Sequence, residues 1–334
     1  MNASRPSLPP ARTAPQASVI IPAYRAHATL PAVLDALEPQ IVSRDREVVL
    51  VDSTGANSGL RIEREWPWVR VLSLRQRTLP GRARNLGVSI SRGSLLAFLD
   101  ADTIPSPAWL DELEQILRPG IDLVAGSIVD GTPDSPWGAT GYLLEFLDWV
   151  PERQTALGHA AGCNLLMRRE RFDQTGGFPE DLWPGEDTVF SVPFAMKGTL
   201  AFAPRARVTH LNRTSVRAVL AHQRRLGASW VEVCARAPVP GGRLGVSPLA
   251  PVAVLGRVYS LIKQLRRYPG ATRRLVQHGP RLAVGLVAWG VGVARPPRGH
   301  TDTRRLSDGA DDRARQRDGR SSSARPRGRH PTDT

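Results

Sequence analysis

Between residues 18 and 118 the chain passes four times from a short run of Val, Ile and Leu into a segment with helical spacing, and this alternation restricts the fold more than any single residue does. SVIIPAY (18–24), EVVLVDS (47–53), VRVLSL (69–74) and SLLAFLD (94–100) predict strands. The segments that follow them predict helices: one from Thr29 with Pro31 in its first turn, one running through Arg64, one over 81–93 with Gly93 as its stop, and one over 107–118. Continuous apolar runs, unlike alternating ones, describe strands buried on both faces. A mostly parallel sheet with helices on both faces supplies that environment, so the expected class is α/β. In such sheets ligands bind outside the carboxyl ends of the strands, where Asp52 and Asp100 stand.

After residue 120 the pattern changes. The sequence predicts a strand over 121–131, a helix over 141–149, a strand running into a helix over 162–170, and a helix over 184–198 opened by Pro184-Gly185 and closed by Gly198. Extended structure follows over 200–210 and a basic helix over 215–236. Two apolar stretches remain, 248–262 and 282–294. The second holds thirteen uncharged residues between Arg281 and Arg295, fewer than the roughly 20 that span a bilayer. Gly285, Gly290 and Gly292 weaken it as an isolated helix. An in-plane interfacial helix and a core-packing helix both fit it. The expected boundaries are a disordered lead-in over 1–16, an α/β domain over 17–212 made of halves 17–120 and 121–212, a basic helical region over 213–294, and a disordered Arg-rich tail over 295–334.

Charge follows these boundaries. Residues 1–202 hold 19 basic and 24 acidic side chains, whereas residues 203–281 hold fifteen basic side chains against the single acid Glu232. The later region is thus the expected docking face for an anionic partner. Cys163 and Cys234 are the two cysteines, too few for a disulfide framework and without metal-ligand spacing. With four prolines and no long apolar run in the first sixteen residues, a cytoplasmic location is expected.

No G-x-G-x-x-G or G-x-x-x-x-G-K-[ST] follows the first strand, which removes the usual dinucleotide and P-loop fingerprints. FLDAD (98–102) instead places Asp100 and Asp102 at the end of a buried strand. Carboxylates there suit Mg²⁺ or Mn²⁺, which keep positions open for water and phosphate. The plainer alternative is that Asp102 caps the TIPSP turn.

SVIIPAYRAHATLPAVLDAL, EVVLVDSTGANS and GRARNLGVSISRGSLLAFLDADTIPSPAWL resemble, in order, the signature segments of family-2 glycosyltransferases, and GCNLLMRRERFDQTGGFPEDLWPGEDTVFSVPFAMKG is similar to that family's acceptor-side half. The resemblance covers about residues 17–212 and implies a GT-A fold. It implies that Pro22, Ala23 and Tyr24 hold the nucleotide base, that Asp52 reads base or ribose, and that Arg82 and Arg84 lie near the nucleotide sugar. Asp100 and Asp102 match the motif that holds a divalent cation, Mg or Mn, against the diphosphate. His210 resembles a further metal or diphosphate ligand of some GT-A enzymes, although a histidine at a strand end is also a common structural residue.

Asp187 matches the family's catalytic base, with Glu186 binding acceptor or orienting it. Both acids also suit the dipole of the helix they open. Gly162 and Asn164 match a segment lining the acceptor side, and Trp183 is either an acceptor platform or a core residue. HQRRLG (222–227) lacks the Trp of the Gln-x-x-Arg-Trp motif carried by processive synthases, which points to transfer of a single sugar. The expected activity is inverting transfer from a nucleotide-diphosphate sugar to a glycan or lipid-linked acceptor in cell-envelope synthesis, with the enzyme peripheral on the inner face of the cell membrane. The competing classes are a nucleotidyltransferase, whose Gly-rich basic loop is missing from IPAYRAHAT, and a nucleic-acid-binding protein, suggested by the net charge of +14.

Overall fold

The computed structural model describes residues 15–42, 44–55, 58–153, 156–239, 250–266, 268 and 270–295. The expected lead-in up to residue 14 and the tail beyond Arg295 lie outside the described residues. The chain divides into two compact units. The first takes the chain up to Val129, Asp148–Leu211 and Arg236–Val239; the second takes Asp130–Leu147, Asn212–Ala235 and the chain from Pro240 on.

The first unit is organised by a sheet. β1 (Ala17–Ala23), β2 (Arg46–Asp52), β3 (Val69–Ser73) and β4 (Leu95–Leu99) lie in the order β3-β2-β1-β4 with every pairing parallel. Val19, Ile20 and Ile21 point alternately to the two faces and are all fully buried, as are Val48 to Val51, so both faces are covered. Helices α1 (Leu30–Ile41), α2 (Ser58–Glu65) and α3 (Pro80–Ile90) connect these strands. Pro sits in the first turn of α1 and of α3, where its missing N–H is not needed.

β5 (Thr103–Pro105), β6 (Leu123–Asp130), β7 (Asn164–Arg168) and β8 (Leu200–His210) complete the eight-stranded order β3-β2-β1-β4-β7-β6-β8-β5. Here β4 pairs with β7, β6 with β7, and β5 with β8, each antiparallel. The parallel arrangement expected from the strand-helix alternation therefore holds from β1 to β4 and gives way to a mixed one beyond β4.

One helix stop differs from expectation. α3 ends at Ile90, with Ser91 already extended at φ −80° and ψ 160°. Gly93 instead lets the chain cross β1: a Cβ there would lie 2.6 Å from the carbonyl carbon of Ala17 and the nitrogen of Ser18. α4 (Trp109–Ile116), α6 (Arg169–Asp173) and α7 (Glu186–Lys197) complete the unit. α7 is bounded by Gly185 and Gly198, both left-handed, as its sequence predicted. Phe178 meets Phe98 of β4 edge-on at 5.1 Å and stacks on Phe190 of α7 at 4.0 Å, tying the segment before α7 to the strand that ends in Asp100.

The second unit is helical: α5 (Pro136–Glu145), α8 (Val216–Arg236), α9 (Ala250–Leu265) and α10 (Ala271–Ala294). The helix expected over 141–149 begins earlier, where the Ser135 hydroxyl accepts the Gly138 N–H, and finishes in a separate turn over Leu147–Trp149. The glycines that weaken α10 in isolation are its crossing points. Side chains at Gly285, Gly290 and Gly292 would overlap Leu144 of α5, Val254 of α9 and the Arg224 carbonyl of α8. One side of α10 is therefore core-packed. Among the described residues no helix is long and apolar enough to cross a membrane.

Candidate active site

Asp52 ends β2 with its carboxylate enclosed. Oδ1 accepts the Thr54 N–H at 2.9 Å, while Oδ2 is buried without a partner. A buried acceptor with no donor from the protein marks where a ligand N–H or O–H would be met. Asp52 lines a cavity of about 300 Å³ together with Ala23, His27, Leu30, Arg61 and Trp66. Pro22 and Ala23 finish β1, and the Ala23 carbonyl accepts the Ser53 N–H at 2.9 Å, fixing this rim. Beside it the Tyr24 ring carries the Arg77 guanidinium at 4.8 Å, and Arg77 also lies 5.6 Å from the Trp183 ring. Arg77 was not singled out by sequence; a loop arginine near Arg75 and Gln76 gives no periodicity to read.

The centre of the site is Arg84. It is almost wholly buried, and its Nη1 donates to Glu186 Oε1 and its Nη2 to Asp100 Oδ1, each at 2.7 Å. The sequence around it explains the approach. Gly81 lets the first turn of α3 close on the Pro179 carbonyl, and Asn85 exchanges hydrogen bonds with the Phe178 backbone at 2.9 Å in both directions. Arg82, two residues before, points elsewhere: it is 61% exposed and 3.9 Å from Glu180. Burial pulls the Arg84 pKa down, but Asp100, Glu186 and Asp187 together carry it above its ordinary value.

The pKa values of the acids are raised as well, here with burial as the leading cause. Burial and then the Asp187 charge raise the Glu186 carboxyl to about 7, against the pull of Arg84. Burial also raises Asp100, with Arg84 opposing and Asp102 adding to the rise. Its side chain is 31% exposed while that of Glu186 is 6% exposed, so solvent screens Asp100 more than Glu186. Cys163 sits in the same field: burial first, then Asp100, Asp102 and Asp187, hold its thiol well above the usual range.

Asp102 is held by a turn in which the Thr103 hydroxyl donates to the Asp100 carbonyl at 2.8 Å and the Asp102 carbonyl accepts the Leu211 N–H, also at 2.8 Å. Its Oδ1 stands 3.8 Å from Nε2 of His210, whose residue pairs with Thr103 across β5 and β8. No group of three His, Cys, Asp or Glu close enough to hold a metal ion occurs among the described residues. Mg²⁺ is commonly held by one or two carboxylates together with substrate phosphates. Asp102 and the half-open Asp100, with carboxylates outnumbering Arg84, supply the one or two carboxylates that suit a cation arriving with a diphosphate.

Asp187 stands in the first turn of α7. Its Oδ1 accepts the Thr188 N–H at 2.7 Å and its Oδ2 accepts the Gly162 N–H at 2.9 Å. A Cβ on Gly162 would lie 2.8 Å from Arg84 Nη2, so the glycine admits the guanidinium as well as orienting Asp187. Asn164 is enclosed. Its Nδ2 donates to the Ser127 and Ala206 carbonyls at 2.9 Å, and its Oδ1 accepts from the Trp109 indole at 2.8 Å. Its amide thus joins β7 to its neighbours.

Residues 18–176 match the model of Glycosyl transferase family 2. Over this segment the chain is similar to that family. It is 30% identical over 181 residues to the glycosyltransferase AglE of Haloferax volcanii, covering 52% of this chain and 60% of that one. It is 29% identical over 201 residues to the pre-mycofactocin glycosyltransferase of Mycobacterium tuberculosis, covering 55% and 42%. The chain thus spans about half the length of the curated relatives it matches. Its fold is similar to that of the mannosyltransferase PcManGT from Pyrobaculum calidifontis, solved in complex with GDP-Man and Mn²⁺, with a TM-score of 0.56 over 85% of this chain and 87% of that one at 18% identity. The fold of the chain is GT-A.

Proposed function

We propose that this chain is a family-2 glycosyltransferase that transfers a single sugar, with inversion, from a nucleotide-diphosphate sugar to an acceptor hydroxyl. The observation that carries this reading is the pairing of two differently prepared acids at the start of α7: Asp187 held by the Gly162 N–H, and Glu186 fixed by Arg84, which also grips Asp100. As the acceptor oxygen attacks the anomeric carbon, its bond to the diphosphate breaks and its proton passes to Asp187. Glu186 and Arg84 orient this pair. Asp52 and the Pro22, Ala23 and Tyr24 rim meet the nucleoside, and Arg82 is exposed enough to approach a phosphate. Asp102, His210 and Asp100 would hold Mg²⁺ or Mn²⁺, which supplies neutralisation of the charge growing on the leaving diphosphate.

On the acceptor side stand Gly162 and Trp183, with Asn164 holding the strands behind them. The acceptor class we infer is a glycan or lipid-linked alcohol at an anionic membrane face, with a role in cell-envelope synthesis. Support comes from the basic composition after residue 203 and from the family of the relatives.

A panel of nucleotide sugars with Mn²⁺ or Mg²⁺ tests the reading through donor turnover and protection against thermal unfolding. Asp187→Asn keeps an oxygen for the Gly162 N–H, so it should bind donor normally and lose about 10²- to 10⁴-fold in turnover. Asp102→Ala should lose the cation-dependent protection. Unchanged turnover and binding in both variants would sink the proposed site.

A further inference from the structure

The two C-terminal helices of the second unit expose surface of an unusual kind. Along the outer side of α10 stand Val276, Pro280, Val284, Val287 and Val291, spaced three or four positions apart and therefore forming one stripe. Val276 is 77% exposed and Val287 65%, and no polar side chain interrupts the stripe between Val276 and Val291. α9 presents Leu255, Tyr259 and Ile262 at the same spacing, all exposed. Of the twelve large apolar side chains exposed among the described residues, eight lie in these two helices, so the exposure is concentrated. Such a patch on a folded unit marks a contact surface.

Charge identifies what covers it. From Val233 to Thr301 the chain contains no Asp or Glu, while Lys263, Arg266, Arg273 and Arg274 crowd the end of α9 and the start of α10. Arg273 precedes Val291 by eighteen positions, about five helical turns, so it lies in line with the stripe. Arg295 closes the other end. A second copy of the chain would bring these cations against their own kind. An anionic bilayer surface offers hydrocarbon to the valines and headgroup phosphate to the arginines, whose long stems let the charge reach upward. The stripe is about 22 Å long, short of a hydrocarbon core of roughly 30 Å. The opposite side of α10, with Leu282, Trp289 and Val293, is already buried in protein, so the helix fits along the surface and not through it.

We propose that the exposed stripe of α10, extended by α9, docks this protein in the plane of an anionic lipid surface. The docking face stands on helix geometry and charge alone; its purpose, bringing the enzyme to lipid-borne acceptors, rests on the sugar-transfer reading.

The test is co-sedimentation of the full chain with vesicles of phosphatidylcholine alone or of equimolar phosphatidylcholine and phosphatidylglycerol, at low and high salt. Wild type should bind the anionic vesicles and stay partly bound when salt screens the charges. Val276→Asp/Val287→Asp, at two exposed positions, should unfold at the same temperature and bind roughly 10-fold or more weakly. Lys263→Glu/Arg273→Glu should weaken binding to anionic vesicles by roughly 5-fold or more per residue. The Arg-rich segment beyond Arg295 is present in every protein compared, so the differences report on the helices.

Equal sedimentation of the aspartate variant and wild type overturns the proposal. So does a wild-type dimer that the same variant dissociates, which would make the stripe a self-interface. Turnover with a water-soluble acceptor is read in parallel: its survival in the aspartate variant separates loss of docking from loss of catalysis, and its absence from wild type bears on the sugar-transfer reading alone.

Discussion

Each unit contains a cluster in which a charged side chain is enclosed among partners of opposite character, but with the signs exchanged. In the first, Arg84 is surrounded by Asp100, Glu186 and Asp187. In the second, Glu145 accepts from Gln223 at 2.8 Å and meets His222 Nε2 at 3.1 Å, with Arg213 and Arg225 adding positive field around the histidine. The first cluster lies at strand ends, with Asp100 and Asp102 about a third exposed and carboxylates in excess. The second is closed among helices, with Glu145 at 16% and His222 at 8% exposure. An excess of acid that is open to solvent can take up a cation or a proton. A closed cluster serves to fasten α5 to α8.

The largest expected difference concerns Arg84. Arg84→Met leaves Glu186 and Asp100 without their cation and should lower stability by about 3–5 kcal/mol near pH 8, where the acids are charged, and by less near pH 5. Denaturant unfolding at the two pH values measures this; an equal loss at both would mean that the cluster's charge is not what Arg84 balances.

Next in size is the closure of the second unit. Gly292→Val forces a side chain onto the Arg224 carbonyl where α10 crosses α8, with an expected loss of about 1–3 kcal/mol. An unchanged unfolding midpoint would show that the two helices do not pack there in solution.

The smallest effect is also the one that separates the clusters by sign. Glu186 has its folded pKa raised to about 7 from 4.5, so the folded state holds the proton more tightly and stability falls as pH rises through that window. His222 is lowered from 6.5, by burial first and Arg213 second, so its contribution is complete above pH 6.5 and is lost as pH falls below it. Glu186→Gln and His222→Gln should therefore flatten opposite limbs of the stability profile, each by at most about 1.4 kcal/mol per pH unit. Two variants that altered the same limb would break the comparison.

The parallel half of the sheet was legible because burial on both faces leaves an unbroken apolar run, and runs such as Val48 to Val51 need no partner to be recognised. Strand direction beyond β4 was not legible, since the pairing of Leu95–Leu99 with Asn164–Arg168 joins segments far apart in sequence and apolarity carries no direction. Arg82 and Arg84 looked alike as candidates near the nucleotide sugar. The helical spacing of Gly81, Arg84, Asn85 and Val88 is a sequence signal that Arg84 faces inward while Arg82 does not. Asn164 shows the converse: an amide read as facing the acceptor is used up by Ser127, Ala206 and Trp109, partners that only the assembled sheet and α4 supply.

Gly162 has no side chain that could bind, ionise or react, yet its amide steadies the proposed base while its bare α-carbon leaves room for the arginine that grips two of the acids. A search for functional positions that scores chemical reactivity would pass over it. In this molecule the absence of one carbon atom is itself a working part, and position 162 should tolerate substitution as poorly as the acids it arranges.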